Sequence, residues 1–159
     1  MSATTASSST PITRVAALGG GLIGQSWVAL FLAAGLEVSV YDIDPGTDER
    51  VRRSVQQAWP VLVQLGLATT AEPDLLKLST CTDAAEAVRG AQFVQESIPE
   101  RIALKHELYA AIEPVLEPGA IVASSASGLP LGELQAGWQH PSHLVLGHPF
   151  NPPHLIPLV

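Results

Sequence analysis

The sequence predicts an α/β fold, with a doubly wound, mostly parallel sheet. Three observations predict it. Short apolar runs alternate along the chain with longer stretches suited to helices. The links between them are short and closed by Gly or Pro. The apolar runs are continuous rather than alternating, as expected of strands buried on both faces.

Arg14 to Leu18 (RVAAL) reads as a first buried strand, and Leu22 to Ala34 as a helix stopped by Gly35. Glu37 to Tyr41 (EVSVY), rich in β-branched residues, is a second strand. A helix over Thr47 to Leu65 follows; Pro60 is expected to strain or break it and Gly66 to end it. Pro73 opens a short turn before the strand-like LSTCT, Leu78 to Thr82. Asp83 caps a helix over Ala84 to Arg89 that stops at Gly90. Strand at Gln92 to Gln95, helix at Ala103 to Leu116, then strands at Ala120 to Ala123 and Leu144 to Leu146 complete the pattern. No repeat or change of composition marks an internal boundary, so residues 12–159 form one expected domain behind a Ser/Thr-rich, disordered tail at 1–11.

The chain has 159 residues, 47% hydrophobic and 14% charged, enough for a real core. Its net charge is −7, and no basic cluster interrupts the acidic balance, which argues against nucleic acid and anionic membranes as partners. The tail lacks the basic and apolar regions of a secretory signal, and no apolar run approaches the ~20 residues of a bilayer span. A single cysteine, Cys81, permits no internal disulfide. These features predict a soluble, cytoplasmic chain, and no metal site is expected.

Between the first strand and first helix lies GGGLIG, with Gly19, Gly21 and Gly24 in Gly-x-Gly-x-x-Gly spacing. Strand, glycines, helix, strand and acid in that order meet the conditions for a Rossmann-type dinucleotide site. Gly19 permits the tight turn, Gly21 lets a pyrophosphate lie against the backbone, and Gly24 lets the helix sit close on the sheet. The helix N-terminus near Gly21, Leu22 and Ile23 offers unpaired N–H groups to phosphates. Asp42 ends the second strand, ~20 residues on, where a carboxylate accepts hydrogen bonds from the adenosine ribose. Asp44, with no Arg or Lys before Arg50, favours NAD over NADP. FAD shares the fingerprint, but nothing else suggests a flavin site.

Ligands of open α/β sheets collect at the carboxyl ends of the strands. Two more segments should reach that edge: SSASG, Ser124 to Gly128, and GHPFNPP, Gly147 to Pro153. They would bring a serine hydroxyl, an imidazole and a carboxamide to the nicotinamide end. Of five histidines, His148 has the position and the pKa range of a base at neutral pH. His106, His140 and His143 read as surface residues, while His154, beside the same proline-rich turn, is open to either reading.

With GGGLIG, VYDID, ESIPERIALKHEL, ASSASG and GHPFNPPHLIPLV in order, nearly the whole chain after Pro11 resembles the 3-hydroxyacyl-CoA dehydrogenase family, which includes the carnitine dehydrogenase and lambda-crystallin (gulonate dehydrogenase) branch. The resemblance implies that His148 is the catalytic base, that Ser127 holds the substrate oxygen and that Asn151 is a supporting hydrogen-bonder. It implies that Glu100 and Lys105 lie near the cofactor; an ordinary solvated pair is the alternative. It also implies an all-helical second domain that closes the cleft and carries a homodimer contact. That domain, and a glutamate twelve positions after His148 that orients it, are absent from this chain, which is expected to be an inactive fragment of a longer enzyme. CoA-specific members place a serine and a lysine where this chain has Ala58 and Leu65, which favours a small free substrate such as carnitine or a sugar acid. The reading from another class is a dinucleotide-binding or structural, crystallin-like protein without turnover.

Overall fold

The computed structural model describes residues 11–156 and 158–159; the expected tail at 1–11 lies outside them except for Pro11. Six strands, β1 (Arg14–Leu18), β2 (Glu37–Tyr41), β3 (Leu78–Cys81), β4 (Phe93–Glu96), β5 (Ile121–Ser124) and β6 (Leu144–Leu146), form one sheet in the order β3-β2-β1-β4-β5-β6. Every neighbouring pair is parallel. The strand order reverses between β1 and β4, so the loops leaving these two strands diverge and open a crevice at the carboxyl edge.

Alternate residues of the strands serve two cores. Val15, Ala17, Val38 and Val40 face α1 (Leu22–Ala33) and α2 (Thr47–Gln64). Ala16, Leu18, Val94 and Val122 face α3 (Ala84–Ala87), α4 (Ile102–Ile112) and α5 (Leu131–Leu134). Burial of each large apolar side chain stabilises by about 1.5–3 kcal/mol, which is why these strands read as unbroken apolar runs.

The strands fall within a residue of their expected bounds, and Gly35 and Gly66 end their helices at positive φ; α3, expected to reach Arg89, stops at Ala87, and a turn leads on to Gly90. Pro60 does not break α2, which runs without interruption from Thr47 to Gln64. Its ring lies on the exposed face, while Val51, Val55, Trp59 and Leu62 bury the opposite one. Packing of that stripe outweighs the local penalty of about 3 kcal/mol for a helical proline. The helix expected over Ala103 to Leu116 ends at Ile112 and tightens into a 3₁₀ turn at Glu113–Val115. Pro114 there lacks the N–H that another α-turn needs. The one-turn helix α5, opened by Pro130, carries too short a pattern to be seen in the sequence.

The glycine turn explains how α1 meets the sheet. A Cβ on Gly24 would stand 1.8 Å from the carbonyl oxygen of Gly19, and one on Gly19 2.8 Å from that of Ser97. Gly19 also has φ +103°, a region that side chains disfavour. Replacing Gly24 by Ala would raise helix propensity by about 1 kcal/mol. The backbone overlap wins, and Gly24→Ala is expected to lower stability by about 1–3 kcal/mol in chemical denaturation.

Candidate functional site

Gly21 is the N-cap of α1, with no capping side chain and no acidic residue in the first turn. The first-turn N–H groups, including those of Leu22 and Ile23, therefore stay available to an anion. A Cβ on Gly21 would meet nothing within 4 Å, because the residue opens on a cavity of about 940 Å³. Gly19, Ile23, Asp42, Glu100 and Lys105 line the same cavity. The Leu22 side chain points to solvent, so this residue can offer the site only its backbone.

Asp42 stands at the end of β2, where its Oδ2 accepts the Gly20 N–H at 2.6 Å and its Oδ1 that of Asp44 at 2.9 Å. A carboxylate has about four acceptor positions, so capacity remains for a ribose hydroxyl. A cation does reach this corner, contrary to the sequence expectation. Arg50 folds back from α2, its Nε donating to the Gly20 carbonyl at 3.4 Å and its Nη1 pairing with Asp44 at 2.5 Å. The Gly46 N–H and Arg50 hold the Asp44 carboxyl below its ordinary range, so the pair is neutral as a unit. Asp42 keeps an uncompensated charge beside it.

Lys105 is neither a solvated residue nor the partner of Glu100. It is buried on α4, and its Nζ lies 2.5 Å from Glu96 Oε1. Glu96 also accepts from the Ile98 N–H (2.8 Å), Tyr109 Oη (2.6 Å) and Ser124 Oγ (2.6 Å). Burial and the Glu96 charge push the Tyr109 hydroxyl up, so it remains a donor. Glu100, at the cavity wall, instead accepts from the N–H groups of Ser127 and Gly128 and from Ser127 Oγ at 3.2 Å. The Gly128 N–H above all holds its carboxyl below the ordinary range. Glu100 thus ties the loop after β4 to the loop after β5, with the Ser127 hydroxyl engaged in the tie.

His148 and Asn151 leave the carboxyl end of β6, the edge that carries the glycine turn. Three strand spacings, about 14 Å, separate β6 from β1. The chain after β6 spans much of this gap, since His154 bonds to Ser26 of α1 through Nδ1 (2.6 Å) and its own N–H (3.0 Å). Both His148 and Asn151 are exposed, and neither they nor Ser127 line the cavity. His140 is an exposed surface residue as expected; His106 is half-buried, its Nε2 2.7 Å from the Glu133 carbonyl, and His143 is half-buried as well.

Residues 14–159 match the family model for the 3-hydroxyacyl-CoA dehydrogenase NAD binding domain. The chain belongs to this family. L-carnitine dehydrogenase of Streptomyces coelicolor is 51% identical over 149 residues, covering 93% of the chain and 46% of the relative. The Pseudomonas putida L-carnitine dehydrogenase is 47% identical over 150 residues, covering 94% and 46%. Among solved structures, FHMPC 5-dehydrogenase, an NAD+ dependent dismutase, superposes with a TM-score of 0.81 at 36% identity, over 92% of the chain and 47% of that structure. The chain spans about half the length of the curated relatives it matches.

NAD, the cofactor of this dehydrogenase domain, fits the residues present: free helix N–H groups, an open face at Gly21 and a carboxylate at the end of β2. Three residues that complete the site had escaped the sequence reading. Gly20, an x of the motif, must be glycine because a Cβ would stand 2.6 Å from Thr47 Cγ2. Glu96 falls one residue past the strand that the sequence suggests, and Ser26 reads as an ordinary helix position. An acid directly after a buried strand was the available signal for Glu96, since a charge there is buried only with partners.

Two outcomes are expected. Gly21→Ala should leave the melting temperature unchanged yet weaken NAD binding tenfold or more (about 1.4 kcal/mol) in calorimetry. Lys105→Met should destabilise the chain by about 3 kcal/mol in denaturant titration. That is the low end for a broken buried ion pair, because three donors to Glu96 remain.

Proposed function

We propose that the protein carrying this chain oxidises the hydroxyl of a small free 3-hydroxy substrate, carnitine first among candidates, with NAD. The observation carrying this reading is that parallel strands deliver the glycine turn, the Ser127 loop and the His148 loop to one edge of the sheet. The likeness to L-carnitine dehydrogenases supports the substrate. So do the positions where CoA-specific members carry a serine and a lysine: Ala58 packs against the core and Leu65 is an exposed apolar residue on the C-cap of α2.

NAD, when bound, supplies the hydride acceptor. The N–H groups of α1 hold its diphosphate and Asp42 its adenosine ribose. Glu100 and Lys105 border the nicotinamide end, with Lys105 fixed by Glu96. The imidazole of His148 takes the proton of the substrate hydroxyl, Ser127 orients the oxygen, and Asn151 supports the arrangement. For Ser127 to do so, its hydroxyl turns from Glu100 toward the substrate. L-gulonate is the alternative substrate. A binding or structural role without turnover is the alternative class, supported by the engagement of the Ser127 hydroxyl with Glu100.

The protein is further inferred to be cytoplasmic and to work as a homodimer through a helical second half. Val145, Leu146, Phe150, Leu155 and Leu158 are exposed apolar side chains on and after β6, on the side where such a half would continue. Among the described residues no helix is long and apolar enough to cross a membrane.

The test is a pair of measurements. Calorimetry on this chain should show NAD binding more tightly than NADP; equal or reversed affinity would remove Asp42 from its role. In the whole protein, His148→Gln should lower the hydride-transfer rate by about 10²–10⁴ with cofactor affinity little changed. NADH formation should be more efficient with carnitine than with 3-hydroxybutyryl-CoA, and the opposite order would overturn the substrate assignment.

A further inference from the structure

The loop after β6 is held at its root, where Gly147 donates to the Ser124 carbonyl at 2.9 Å and accepts from Gln95 Nε2 at 3.4 Å, by the buried Pro149 and Pro153, and by hydrogen bonds at one place farther along. Within it, Phe150 N–H donates to the Leu158 carbonyl, and the Leu155 and Ile156 N–H groups to that of Pro152. Among the described residues, the hydrogen bonds of residues 148–159 to any other part of the chain all go to Ser26. Ser26 sits on α1 just past the glycine turn and is 5% exposed.

The chemistry of this contact is specific. A serine hydroxyl has one proton and two lone pairs. Ser26 Oγ accepts the His154 N–H at 3.0 Å and lies 2.6 Å from Nδ1 of the same residue, a hydrogen bond in which either atom can donate according to the tautomer of the ring. A helical serine commonly turns its hydroxyl to the carbonyl one turn back; here it serves a residue 128 positions away.

We infer that Ser26 and His154 are positioning residues, a latch that holds the loop bearing His148 and Asn151 against the helix whose N-terminus binds the cofactor diphosphate. This inference rests on the proposed role of His148. It adds that the placing of the base relative to the cofactor is set by this side-chain pair rather than by the sheet alone. Burial alone lowers the His154 pKa. Neither α1 nor β6 carries a titratable residue, and the only other titratable side chain in the loop is His148.

Histidine NMR and amide hydrogen exchange on this chain test the latch without requiring turnover. In the unaltered chain, burial should hold the His154 titration below its ordinary range. Ser26→Ala and His154→Ala should each lower protection of amides 148–156 at least tenfold, leaving α1 protected and NAD affinity within about threefold. His154→Asn keeps an acceptor near the place of Nδ1. It should restore protection. In the whole protein, Ser26→Ala should lower kcat at least tenfold while the KM for NAD moves less than threefold. Unchanged loop protection in both alanine variants, or an ordinary His154 titration, overturns the latch. A loop that loosens as expected beside a His148→Gln enzyme of normal rate instead leaves the latch standing and removes the base assignment.

Discussion

A carboxylate without solvent contact is unfavourable by several kcal/mol unless its oxygens are satisfied, and Glu96 meets that condition at the last position of β4. Its four donors come from three directions: Lys105 and Tyr109 from α4, Ser124 from the end of β5, and Ile98 from the loop after β4. No one of these segments can shift without leaving a buried charge short of a partner. Burial pushes the Tyr109 hydroxyl up, and this keeps the donor set intact as pH rises. The cluster therefore fixes the exits of β4 and β5, and with them Glu100 and the Ser127 loop.

The glycine turn is built against that fixed point. Ser97, next to Glu96, donates its N–H to the Leu18 carbonyl, and its own carbonyl leaves no room for a Cβ on Gly19. Its hydroxyl continues into a second polar chain, Ser97 to Ser125 at 2.8 Å and Ser125 to Gln95 at 2.9 Å, beneath the β5 loop. The exits of β1, β4 and β5 are thus pressed together by backbone contact and side-chain hydrogen bonds. Glycine at positions 19, 20 and 24 is a packing requirement, whereas glycine at 21 faces open space. One motif holds two kinds of constraint, and they are separable by mutation.

This division also marks what was legible in the sequence. Strands buried on both faces advertise themselves as apolar runs, and β1, β2 and β6 lie within the bounds the residues suggest. The glycine spacing and Asp42 were legible because each satisfies a local rule. Pro60 misled because local propensity says nothing of the Val51, Val55, Trp59 and Leu62 stripe that overrides it. Lys105 misled because its partner lies nine residues away on another element, and sequence shows the charge without its burial. Arg50 and Ser26 act through contacts that form only once α2 and the β6 loop have packed. Long-range side-chain pairing is the part of a site that spacing does not encode.

The electrostatics of the cavity decide how it can hold a diphosphate. Asp42, Asp83, Glu100 and Glu107 all line it, and the one lysine among its walls is committed to Glu96. Arg50, the cation nearest the turn, is paired with Asp44. Among the described residues, no cation that lines the cavity is unpaired, and the chain as a whole carries −7. The favourable partners left are backbone N–H groups at the start of α1, whose partial charge is about half an elementary unit and falls off within a turn. Such a site must be approached closely to work, which is the physical reason for an uncapped, Cβ-free Gly21. It also leaves little to offset a further phosphate at Asp42, where repulsion is unscreened by any unpaired base. With the diphosphate placed as proposed, an acidic groove with a backbone anion site would favour the dinucleotide with the fewest charges.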